Sequence, residues 1–81
     1  MQLRTVPDHY ERIKKLRKRH CYSQSEIAAL LNVEQSTYSK YEHGFIPVPL
    51  KAIIKLADLY KVSIDYIVGR TDSPEAKITR L

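Results

Sequence analysis

Residues 23–44 read SQSEIAALLNVEQSTYSKYEHG, and this stretch decides the fold. Its first half carries a full set of helix-entry signals. Ser23 stands where an N-cap belongs, and Glu26, three residues on, completes a capping box in which each side chain binds the other residue's backbone N–H. Tyr22 before the cap and Ile27 after it are spaced for a hydrophobic staple. Ile27, Ala28 and Leu31 then fall at i, i+1 and i+4, one apolar face at helical period. Asn32 tolerates the left-handed conformation that closes a helix, and Val33 is an apolar plug in the turn behind it. A second helix begins at Gln35 and turns Tyr38 and Tyr41 inward. It stops at Gly44, the residue type favoured just past a helix end. Two short helices joined by a tight turn are predicted.

The outward face of the second helix is what points to a function. Gln35, Ser36, Ser39, Lys40 and His43 share it, with Thr37 beside them, and it holds only one formal cation. A solvated face of a small protein usually carries more charge. A face built to read base edges wants amides, hydroxyls and one or two cations, because these match the donor and acceptor patterns of the major groove. An ordinary solvated face is the alternative. With the SQxE opening, the small Ala28, the turn around Asn32 and Val33, and the YExG close, the stretch resembles the helix-turn-helix of the Cro/repressor-type (XRE) family of DNA-binding proteins. The resemblance extends from Arg12 to Arg70 and includes the segment VSIDYIVGR at 62–70.

The resemblance implies an all-α fold: a compact five-helix, lambda-repressor-like DNA-binding domain whose helices 2 and 3 form the helix-turn-helix. It implies a sequence-specific regulator of transcription, a repressor acting as a homodimer on a palindromic operator in double-stranded DNA. It also implies that Gln24 hydrogen-bonds DNA; independently, the Gln24 backbone N–H lies at the positive end of a helix, where a phosphate docks. Gln35, at the start of helix 3, enters the groove deepest, and its amide can bond adenine N6 and N7 together. Ser36 and Ser39 can meet base edges or phosphates, and Lys40 either guanine or a phosphate. In the family an Arg at the place of Arg17 pairs with a Glu at the place of Glu42; the alternative is that Arg17 snorkels to solvent. Three positions in two places depart from the family pattern. Glu34 stands where a small capping hydroxyl is usual and is a poor N-cap. Phe45 and Ile46 stand in a link that often carries Lys or Arg against the DNA backbone. These changes remove electrostatic affinity and leave open a protein-interaction module that no longer binds DNA. An antitoxin or restriction controller would use DNA in the same way as the regulator.

Working outward, residues 1–7 form a loose arm, the domain spans 8–69, and 70–81 is a polar tail in which Ser73-Pro74-Glu75 could start one more helical turn. Asp8 caps helix 1, over residues 8–20, whose inward stripe is Ile13 and Leu16. After Gly44, Pro47 and Pro49 forbid a helix until Pro49 itself, which is suited to the first position of helix 4. Leu50, Ile53, Ile54, Ala57 and Tyr60 line the core face of that helix; Lys61-Val62 make a turn, and Ser63 caps a short fifth helix ending at Gly69. Helices 4 and 5 hold more apolar residues than a small core needs, with Leu56 and Leu59 off the main stripe. Ile64, Ile67 and Val68 are therefore candidates for a dimer contact, unless the surplus packs under the tail or Phe45.

The chain has 81 residues, enough for one small domain, and 43% hydrophobic residues, enough for a core. Its net charge of +5 is uneven: residues 1–20 hold seven cations against two acids, and the rest is balanced. A basic first helix could be an electrostatic footprint for phosphates, or a solvated face with a chance excess. The single Cys21 excludes an intrachain disulfide and fits a reducing cytosol, and the N-terminus lacks the apolar core of a signal peptide. No run reaches transmembrane length. His9, His20 and His43 are scattered without zinc spacing, and no nucleophile–base set or phosphate loop can be assembled. The sequence therefore predicts a cytoplasmic protein with no metal, no cofactor, no membrane association and no enzymatic activity.

Overall fold

Ser23 fixes the entry to the helix-turn-helix by two reciprocal bonds. Its hydroxyl accepts from the Glu26 N–H at 3.0 Å, and its own N–H donates to Glu26 Oε1 at 2.8 Å. This capping box opens the second of five helices in the computed structural model, which describes residues 9–70. The helices are α1 (His9–Arg19), α2 (Gln24–Leu31), α3 (Gln35–Glu42), α4 (Leu50–Tyr60) and α5 (Ile64–Ile67), with no strand among the described residues. The arm, the Asp8 cap, the residues beyond Arg70 and the turn expected at Ser73 lie outside the described residues.

One closure is used at every helix end. After α2, Asn32 takes φ +62, and the N–H groups of Asn32 and Val33 return to the carbonyls of Ala29 and Ala28 at 3.1 and 3.0 Å. This left-handed turn satisfies carbonyls that a helix end leaves open. The same turn recurs at Cys21 (φ +62), Gly44 (φ +75), Lys61 (φ +57) and Gly69 (φ +85). Only two of the five positions are glycine. At Gly44 a second constraint applies, because a Cβ there would lie 2.9 Å from the Tyr10 ring of α1.

The core is built from Ile13 and Leu16 of α1, Ile27 and Ala28 of α2, Tyr38 and Tyr41 of α3, and a broad face of α4. Three expectations are corrected here. Pro49 is the N-cap of α4 rather than its first residue; its ψ of 151° is extended, and its carbonyl accepts from Ala52 and Ile53. The inward stripe of α4 is Ala52, Ile53, Leu56, Ala57 and Tyr60, so Leu56 is fully buried, whereas Leu50 and Ile54 are 66% and 41% exposed. The helix is rotated from the expected phase because the pair 52/53 repeats at 56/57, and both halves of that pair meet the core. Ile67 is fully buried within the protomer and offers no surface to a second copy; Ile64 is exposed and Val68 half-buried. Arg12 ties α1 to α5: its Nη1 donates to the Tyr66 carbonyl at 2.8 Å, and its guanidinium lies 4.2 Å from the centre of the Tyr66 ring.

Candidate nucleic-acid interface

The two faces of α3 are sharply divided. Tyr38, Tyr41 and Glu42 are buried; Gln35, Ser36, Lys40 and His43 are exposed, with Thr37 and Ser39 half-buried between them. Tyr38 and Tyr41 meet edge to face, ring centres 6.1 Å apart, as core residues rather than base-stacking ones. The inward residues anchor the helix, so none of the fully exposed ones is needed by the core.

Glu42 is the hub of that anchorage. Arg17 from α1 binds it twice, Nε to Oε2 at 2.6 Å and Nη2 to Oε1 at 3.0 Å, while Arg17 Nη1 donates to the Tyr22 carbonyl at 3.0 Å. Both residues are nearly excluded from solvent, at 8% and 4% exposure. The fork geometry supplies the extra hydrogen bonds that a buried charge pair needs. Burial alone would raise the Glu42 carboxyl, but the hydrogen bonds from Arg17 and Gln24 and the Arg17 charge hold it below its ordinary value. The Tyr38 and Tyr60 hydroxyls are buried near this pair without a formed hydrogen bond among the described residues. Burial, then the Glu42 carboxylate, pushes both phenols above the ordinary tyrosine range.

Gln24, at the first position of α2, is half-buried, and its Nε2 donates to Glu42 Oε1 at 3.1 Å. One amide hydrogen is thus committed inward; the second hydrogen and the carbonyl oxygen remain. The start of α2 and the end of α3 are joined through Glu42, and Gln35 lies at the opposite end of α3. Glu34 caps α3 without a side-chain hydrogen bond. Phe45 is 73% exposed and stacks on His43. Sequence reasoning missed Tyr10 and Arg12 as supports of this assembly, because their partners Gly44 and Tyr66 lie far along the chain. No group of His, Cys, Asp and Glu among the described residues could hold a metal ion, and no helix there is long and apolar enough to cross a membrane.

Comparison with known proteins agrees with this architecture. A helix-turn-helix family model matches residues 13–67, and the chain belongs to this XRE-type helix-turn-helix family. Its relatives include the uncharacterized HTH-type transcriptional regulator YobD of Bacillus subtilis, 39% identical over 70 residues, covering 86% of this chain and 62% of that protein. The HTH-type transcriptional regulator ImmR of the same organism is 32% identical over 71 residues, covering 88% of this chain and 56% of that protein. The cryptic phage CTXphi transcriptional repressor RstR of Vibrio cholerae is 32% identical over 73 residues, covering 88% and 65%. The crystal structure of a transcriptional regulator from Listeria innocua superposes with a TM-score of 0.72 at 29% identity, covering 90% of this chain and 62% of that one. The chain therefore spans somewhat over half the length of these relatives.

Proposed function

We propose that this chain is the DNA-binding part of a cytoplasmic transcriptional regulator, not an enzyme, and that it represses as a homodimer on a palindromic operator. The observation that carries the reading is the division of α3. Its fold contacts lie on one face, and the other presents Gln35, Ser36 and Lys40, the amide, hydroxyl and cation chemistry that reads a major groove. Gln35 is the base reader; Ser36, Thr37, Ser39, Lys40 and His43 continue its face, and Gln24 meets a phosphate at the start of α2. The relatives named as transcriptional regulators and a repressor support this assignment.

Pairing of two copies doubles the operator and sets the recognition helices about 34–36 Å apart, one turn of DNA. Ile64, 39% exposed, and the half-buried Val68 beside it supply the apolar contact. Sedimentation of wild type and Ile64→Asp, with and without duplex, tests that surface: two wild-type copies per palindrome and loss of pairing in the variant are expected.

The test of the reading itself is selection of duplexes from a random pool, followed by Gln35→Ala. The substitution costs about 1–3 kcal/mol on the selected site and much less on a scrambled one. Equal losses on both duplexes would remove Gln35 as a reader.

A further inference from the structure

His43 closes α3 in a way that restricts its chemistry. Its Nδ1 lies 2.8 Å from the Ser39 carbonyl oxygen and 3.5 Å from the Ser39 hydroxyl. A carbonyl only accepts, so Nδ1 carries a hydrogen. The Phe45 ring lies against the imidazole with centres 5.4 Å apart and planes 25° from parallel. Phe45 is itself 73% exposed, so this stack is not a consequence of core packing. Nε2 has no protein partner among the described residues, on a side chain that faces solvent.

Position then decides what Nε2 meets. His43 lies eight residues past Gln35, about 12 Å along the helix axis at about 1.5 Å per residue. The major groove is itself about 12 Å wide. With the N-terminal end of α3 at the base edges, the end carrying His43 stands at the groove wall, where the phosphates are. Phosphate oxygens only accept. A neutral imidazole whose Nδ1–H is already given to Ser39 would present a lone pair to them, and only the imidazolium donates from both nitrogens.

We infer that His43 grips a DNA phosphate as the imidazolium, Nδ1–H on the Ser39 carbonyl and Nε2–H on the phosphate, with Phe45 as the positioning residue, so that DNA binding takes up a proton. This rests on the DNA-binding reading above. The groups around the ring agree with it. The carbonyls at the end of α3 favour a cation there. Lys40 is the neighbouring cation, one turn back on the same face. Glu42 is turned inward onto Arg17 and Gln24 and does not supply the counter-charge. From α1, the Tyr10 ring packs against Gly44, the residue next to His43.

The test measures binding of the full chain to a mixed-sequence duplex of about two helical turns, at fixed low salt. Affinity is expected to tighten roughly five- to tenfold per bound protomer from about pH 8 to about pH 6, the range in which imidazoles titrate, with less than one proton taken up per protomer on average. His43→Gln abolishes this dependence, and His20→Gln retains it. Phe45→Ala weakens it and Phe45→Tyr preserves it, a distinction that a merely structural Phe45 would not make. A pH dependence unchanged in His43→Gln, with salt-dependent binding intact, overturns this inference alone. Absence of salt-dependent binding at either pH overturns the DNA-binding reading with it.

Discussion

Helices α2 and α3 are equal in length, eight residues each, and lie on either side of one turn, yet different forces hold them. α2 is specified locally: the Ser23–Glu26 box opens it and the Asn32 turn closes it. α3 has no side-chain hydrogen bond at its Glu34 cap, so its N-terminal N–H groups gain no local side-chain acceptor. What holds it is tertiary: two buried tyrosines and the Arg17–Glu42 pair. The difference teaches how a fold can leave a binding face free. A helix fastened from one side by contacts distant in sequence can vary its other side without losing its place.

This contrast predicts that the largest effect comes from the tertiary fastening of α3. Arg17→Met strands the Glu42 carboxylate in the core and should cost about 3–5 kcal/mol, with much of it recovered in Arg17→Met/Glu42→Leu. Urea melts decide it, and additive losses would mean that the pair does not fasten the helix. The pH dependence follows from the lowered Glu42 value. A carboxyl held lower in the folded than in the unfolded chain contributes stability above its unfolded value, and that stability is lost as pH falls through the folded one. The acid limb of a stability profile should therefore be shallower in the double variant.

The local fastening of α2 is worth less. Ser23→Ala removes one half of the capping box and should lower stability by about 1 kcal/mol in the same melts. A loss as large as that of Arg17→Met would erase the distinction between the two helices.

The smallest expected effect is a gain. Glu34→Ser supplies the missing cap of α3 and should raise stability by about 0.5–1 kcal/mol. No change would mean that the tertiary contacts already saturate the stability of that helix.

The parts legible in the sequence are those whose partners lie within two helical turns of chain. The Ser23–Glu26 box, the Asn32 closure, the glycine at 44 and the inward placement of Tyr38 and Tyr41 each depend on residues no more than six apart. Such hydrogen-bonded rings are short, so residue type and spacing are enough to read them. The exposed face of α3 follows from the same period. Other features depended on elements far away in the chain. Periodicity allows two rotations of α4 that share Ile53, Ala57 and Tyr60, and only the packing of its neighbours put Leu56 inside and Leu50 and Ile54 outside. Cys21 and Lys61 take the left-handed turn without being glycine, because the helices on either side must change direction there. Gln24 turns an amide hydrogen toward Glu42, and Phe45 finds the ring of His43, as consequences of where α3 ends. The sequence by itself determined which segments are helical and which face of α3 is polar, since both rest on local spacing. The tertiary structure alone decided how each helix is rotated and what each polar side chain is free to bind, since both depend on groups that meet only when the chain is folded.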